Sequence, residues 1–309
     1  MQQQQLRAAI VAIWVLGGIA AYLYSQQLNI PARIAVPVAI AFLVEISLYA
    51  GMQSLPWTAT LLWTSASASY LIYSIPTGVF AWKGLLLLTA VTGLAVAWMR
   101  YAPRRLALDA LFLLFFAAIY IGRVLHGVYL APFPKLQTDV LAQLMCFRLT
   151  VTCLLRYRTH EDFGFGFIPT AADWRIGIRY FLYFAPVAVG LIYLLQFRNF
   201  HLAAGFWWKA PATFLAFLWV VGLAEECLFR GLLLNHLRSL MSPLRALVLS
   251  SLAFGIVHLW FRPFPNWKFV ILASVAGLFY GSAYVEARAV RASMVAHALT
   301  VTAWRTFLA

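Results

Sequence analysis

Apolar residues run along this chain in blocks of roughly 20, the length a helix needs to cross the hydrocarbon core of a bilayer. The blocks lie near 8–25, 34–52, 55–75, 84–99, 106–130, 138–156, 178–197, 211–237, 244–261, 268–286 and 291–308. Short breaker segments divide them, among them Asn29-Ile30-Pro31, Ala102-Pro103, Pro132-Phe133-Pro134 and Arg262-Pro263-Phe264-Pro265. The pattern predicts an all-α, polytopic transmembrane bundle of about 11 spans. The Gln-rich Met1–Arg7 leads into an apolar run without a small-residue cleavage site, so the first block reads as a retained helix rather than a signal peptide. No internal repeat marks the symmetric halves of a transporter.

Composition agrees with the pattern. Of 309 residues, 64% are hydrophobic and 10% charged, and the mean hydropathy is +0.84. A soluble globular domain carries about 25% charged residues, and a disordered chain is poor in apolar ones. The net charge of +14 sets 23 Lys and Arg against 9 Asp and Glu. It reflects scarce acids, not a basic block, and argues against nucleic acid as a partner. The lipid bilayer is the partner it implies. With the N-terminus inside, the inner loops hold Arg7, Arg100, Arg104, Arg105, Arg156, Arg158, Arg175, Arg179, Arg238, Arg245, Arg288 and Arg291. The outer side holds the smaller group Arg33, Lys83, Lys135, Arg198, Lys209, Arg262, Lys268 and Arg305. That bias places the N-terminus in the cytoplasm, with the Ala/Leu/Arg-rich composition suggesting a bacterial inner (plasma) membrane. Cys146, Cys153 and Cys227 lie in apolar blocks and form no even disulfide framework.

The longest segment between blocks, 157–177, separates an N-terminal helical module, 1–156, from a C-terminal module, 157–309. Its His160-Glu161-Asp162 run lacks metal-site spacing and reads as a solvated loop. Asp173 is a candidate cap for the helix that follows.

A carboxylate inside a membrane helix costs about 2.5–3.5 kcal/mol even on lenient scales and needs a reason to be there. Glu45, Glu225 and Glu226 are the acids deep in blocks. Glu45 has no charged neighbour in sequence and reads as a structural or lumen contact. Glu226 and Arg230 stand four residues apart on one helical face and predict an ion pair. Glu225 points about 100° away from Glu226 and keeps no local partner. It is the candidate general base. His258 and His297 lie in two later blocks, so three chemically competent side chains converge on the C-terminal third. His126, one turn from Arg123, reads as a packing group.

The Glu225-Glu226-x-x-x-Arg230 run, Phe254-x-x-x-His258 and His297 on a last helix resemble the motifs of the CAAX-protease and bacteriocin-processing (CPBP) glutamic intramembrane proteases, also called the abortive-infection family. The resemblance covers roughly 160–309. It implies that Glu225 and His258 activate a water, that His297 donates to the oxyanion, and that Glu226, Arg230 and Phe254 support the site. It implies a membrane-anchored peptide or protein as substrate and no cofactor. Glu225, His258 and His297 are also types that ligate zinc, so a zinc metalloprotease is the second mechanism. The family carries Asn four residues after the last His; here that position is Val301. Thr300 and Thr302 are candidate substitutes, each about 100° to one side of it. Loss of one oxyanion donor costs about 10²–10³ in rate. A non-catalytic immunity or scaffold member and a proton- or ion-coupled transporter are the alternatives from other functional classes. A cysteine protease built on Cys227 lacks any surrounding motif.

Overall fold

The computed structural model describes residues 2–52, 54–122, 124–134, 136–157, 164–197, 200–261 and 263–308. The His160-Glu161-Asp162 loop, Arg123, Lys135, Arg158, Arg198 and Arg262 lie outside them. Eleven continuous helical rods and no strands make up the described residues. They are α1 (2–27), α2 (32–50), α3 (59–77), α4 (82–101), α5 (106–121), α6 (139–157), α7 (171–194), α8 (206–240), α9 (243–260), α10 (267–287) and α11 (290–307). Eight of them are long and apolar enough to cross a bilayer, which makes this an integral, multi-pass membrane protein. The rods α3, α5 and α11 fall short by that measure. For α11 the reason is position. Val290, Ala292, Ser293, Met294, Val295, Ala296, His297 and Ala298 are all buried against protein, so this helix need not be uniformly apolar.

The chain divides into two compact units, residues 1–159 and 160–309. In the first, α2, α3, α4 and α6 pack together around a charged centre. Arg148 on α6 donates from Nε to Glu45 Oε1 of α2 at 2.6 Å and from Nη2 to Oε2 at 3.2 Å. Its Nη1 donates to Ser65 Oγ at 2.8 Å and Nη2 to the Ser65 carbonyl at 3.1 Å. Ser69 Oγ completes the carboxylate at 2.7 Å. The unneighboured Glu45 of the sequence is therefore a structural carboxylate, paired across helices.

One predicted span is shorter than expected. The block 106–130 is helical only over Leu106–Ile121. Gly122 N–H and Val124 N–H then bond back to the Ala118 and Ile119 carbonyls, which closes the helix. His126 consequently sits in the following turns, exposed, with Nδ1 3.3 Å from Asp139 Oδ2. It is a partner of the α6 N-terminus, not a group buried between helices.

In the second unit, Asp173 is not the cap of α7. Thr170 occupies that position. Its hydroxyl accepts from Asp173 N–H while Asp173 accepts from Thr170 N–H, a reciprocal capping box. Asp173 Oδ2 also takes Arg291 Nε at 2.7 Å, which ties α7 to the start of α11. At the same end Arg179 of α7 pairs with Glu286 of α10. Two glycines allow α9 and α10 to approach closely: a Cβ on Gly255 would lie 2.6 Å from the Val270 carbonyl, and one on Gly277 would meet Ser251 at 3.0 Å. That approach brings the α9 motif and the Gly277 carbonyl beside α8.

Candidate active site

The long α8 is not α-helical throughout. Its hydrogen bonding widens to π register over Phe217–Gly222 and again over Cys227–Leu234. Between them a single α turn, Leu223–Glu226, carries both glutamates. π segments are rare and recur at functional sites, because the extra residue re-aims side chains that a regular helix would point elsewhere.

The two glutamates meet different surroundings. Glu226 is fully buried, and its Oε1 accepts from Arg230 Nη1 at 3.1 Å, the pair expected from the spacing. Arg230 is buried too; its Nη2 donates to the Gly277 carbonyl at 3.2 Å, and its guanidinium lies 4.4 Å from the Phe254 ring centroid. Glu226 Oε1 has a second partner that the spacing does not show, His297 Nδ1 of α11 at 2.9 Å. Glu225 retains 27% of its side-chain exposure. Its Oε2 is buried, finds no hydrogen-bond partner among the described residues, and lies 3.9 Å from His297 Nε2. Glu226 Oε2 is likewise without a hydrogen bond among them. One imidazole thus stands between two carboxylates, bonded to the sealed one and facing the open one.

His297 is held on its faces as well. Tyr280 of α10 stacks on it at 4.8 Å and 15°, and Phe254 meets it edge-on at 5.7 Å. Tyr280 was absent from the sequence reading. The available signal was a tyrosine one turn after Gly277 in the middle of an apolar block, and such residues are too common in membrane helices to stand out.

His258 occupies the last, tightened turn of α9, Val257–Trp260. Its Nδ1 lies 2.7 Å from the Phe254 carbonyl oxygen. A carbonyl only accepts, so Nδ1 carries the hydrogen and neutral His258 presents a bare Nε2. Aromatic rings wall this imidazole: Phe254 at 4.8 Å, Phe261 at 5.0 Å and Phe269 at 5.4 Å. Phe254 is thus the hub of the arrangement, touching Arg230, His258 and His297.

The structure does not turn the two threonines into donors at the site. Thr300 Oγ1 donates to the Ala296 carbonyl at 2.9 Å and also hydrogen-bonds the Tyr280 side chain, and Thr302 Oγ1 donates to the Ala298 carbonyl at 2.7 Å. Cys227 is buried without exposure. No group of three His, Cys, Asp or Glu among the described residues is arranged to hold a metal ion. Nδ1 of His258 and Nδ1 of His297 are engaged by the protein itself, which leaves Nε2 of each ring open.

No curated protein and no solved structure matches the chain. A family model does. Residues 207–303, from the start of α8 to near the end of α11, match the family described as type II CAAX prenyl endopeptidase Rce1-like. Every side chain of the cluster just described lies inside that stretch, and the four rods that carry them belong to one compact unit. The match of residues 207–303 to an Rce1-like CAAX protease domain is consistent with the CPBP family and supports intramembrane proteolysis as the activity at family level.

Proposed function

We propose that this protein is an intramembrane endopeptidase that hydrolyses a peptide bond at or near the membrane surface with a Glu/His-activated water. The observation that carries the reading is the orphaned Glu225 Oε2, buried beside His297 Nε2 in a chain whose other deep carboxylates are paired. An unsatisfied buried acceptor costs about 1–3 kcal/mol, and a membrane protein retains such a group for use.

The roles follow from the donors and acceptors. Glu225 takes a proton from water, and the bare Nε2 of His258 accepts the second hydrogen bond that orients the nucleophile. The water oxygen bonds to the carbonyl carbon, and the displaced π pair becomes the oxyanion, to which His297 donates. Glu226 and Arg230 hold His297 from behind, and Phe254 packs the three groups together. The helices around the site exclude bulk water, which strengthens each of these interactions. The catalysis assigned here uses no metal. The substrate is a membrane-anchored peptide or protein, and the family description makes C-terminal CAAX-type peptides the first class to test. The arginine bias places the N-terminus on the cytoplasmic side.

The test is cleavage of membrane-anchored peptides by purified protein in detergent, comparing wild type with Glu225→Gln and His258→Ala, with and without a chelator. Cleavage is expected to vanish in both variants and survive chelation. Wild-type rates from Glu225→Gln overturn the reading, and activity lost to a chelator and restored by zinc overturns the metal-free mechanism.

A further inference from the structure

The oxyanion role of His297 needs a hydrogen on Nε2, and the structure says where that hydrogen must come from. Nδ1 of His297 is 2.9 Å from Glu226 Oε1, an atom that also accepts from Arg230 Nη1 at 3.1 Å. Arginine remains a cation in proteins and only donates, so its bonded partner in this sealed pocket is the carboxylate form of Glu226. A carboxylate only accepts, and the hydrogen on the imidazole therefore sits on Nδ1. In neutral His297 the Nε2 that faces Glu225 at 3.9 Å is then a lone pair. The ring cannot turn over to present the other nitrogen, because Tyr280 stacks on one face at 4.8 Å and Phe254 closes from the edge at 5.7 Å.

We infer that Glu226 is a positioning residue which sets the tautomer of His297, and that Glu226, His297 and Glu225 form a proton relay. The inference rests on the proposed protease reading and adds to it a route for the proton. Water's proton passes to Glu225 as the water oxygen bonds to the carbonyl carbon. Glu225 hands it to His297 Nε2. The resulting imidazolium, its Nδ1–H held by Glu226, donates to the oxyanion. When the carbon–nitrogen bond breaks, its electron pair takes the proton from Nε2, which leaves as part of the amine. The second hydrogen of the water stays on the new carboxyl group. The charge on Glu226 favours the imidazolium at the moment it forms, and the arrangement has the logic of an acid–base–nucleophile triad in which a buried carboxylate orients an imidazole. Arg230 keeps that carboxylate in place. The π-register segments on either side of Leu223–Glu226 let adjacent residues of one turn reach the two ends of one ring.

Glu226→Gln separates this role from a merely structural one. The amide oxygen, in the place of Oε1, still accepts from both Arg230 and His297 Nδ1–H, so the pair, the tautomer and the fold are kept, but the negative charge that favours the imidazolium is removed. The expected result is a fall in kcat of about 10²–10⁴-fold with KM changed little, since substrate contacts are untouched. The accompanying measurement is nitrogen-15 NMR of histidine-labelled protein, with the His297 signals assigned by their loss in His297→Gln. In wild type and in Glu226→Gln alike the neutral ring should carry its hydrogen on Nδ1, so a fall in kcat with the tautomer unchanged isolates the lost charge. Glu225→Gln is run in the same assay. If Glu225→Gln cleaves normally, the protease reading itself has failed. If Glu225→Gln is inactive while Glu226→Gln keeps its kcat, the relay is overturned and the protease reading stands. A wild-type spectrum with the neutral ring hydrogen on Nε2 also overturns it, and needs no variant to fold.

Discussion

Among the described residues each unit of this protein buries one arginine–glutamate pair, and the two pairs are finished differently. Around Glu45 and Arg148, both carboxylate oxygens and all three guanidinium nitrogens are bonded, with Ser65 and Ser69 taking what the pair leaves over. Around Glu226 and Arg230, one carboxylate oxygen carries both partners, the other carries none, and the neighbouring Glu225 ends in an oxygen without a hydrogen bond among the described residues. Both centres are buried to the same degree, with side-chain exposures of 1% and 0% in each pair. Burial of charge is therefore the same at the two centres; saturation is what differs. A closed network rigidifies its surroundings and has nothing left to offer a substrate. An open one retains acceptors at the cost of stability, which is expected where those acceptors are used.

The widest separation between the two centres should come from charge-neutral changes at the open one. Glu225→Gln is expected to lower kcat by about 10²–10⁴-fold while the unfolding midpoint in detergent stays near wild type. A large loss of stability with intact turnover would reverse the assignment. At the closed centre the signs should exchange. Arg148→Met leaves Glu45 charged and unpaired, at a cost of about 3–5 kcal/mol, read as a lowered unfolding midpoint. The double change Glu45→Leu with Arg148→Met should recover most of that loss, because two apolar side chains need no partners. Failure of the double variant to recover would mean that the pair does something beyond holding α2 to α6. The smallest effect is expected at the threonines. Thr300→Val and Thr302→Val remove hydroxyls bonded to their own helix and, for Thr300, to Tyr280, so kcat should stay within about threefold, against about 10²–10³ for a lost oxyanion donor. A larger drop in either would show that a hydroxyl swings into the site during turnover.

Much of this was legible in the chain because the bilayer simplifies the reading. Apolar blocks of span length map onto the eleven rods one for one, since a helix is the only way a lone segment can satisfy its backbone in hydrocarbon. The exceptions mark where local chemistry competes. The fifth block ran on to residue 130 in the sequence although Gly122, Arg123, His126 and Gly127 interrupt it, and its backbone turned at Gly122. The i,i+4 spacing of Glu226 and Arg230 held, since helical neighbours are fixed by geometry local in sequence. The Glu45–Arg148 pair could not be read the same way. More than a hundred positions separate its members, and nothing in either segment names the other. Tyr280 and the Gly277 carbonyl were hidden for the same reason.

What the sequence alone determined is the class of the molecule and its candidate reactive groups: a membrane bundle, two adjacent glutamates, an arginine one turn on, and two histidines on later helices. These follow from composition, periodicity and spacing, which are properties of neighbours along the chain. Tertiary structure alone decided how those groups are arranged. It seated His297 between the two carboxylates, sealed one and left the other without a hydrogen bond among the described residues, and turned both threonines back onto their helix. Those outcomes depend on which helices pack together and on the π register of α8, and both are set by packing that no local stretch of sequence encodes.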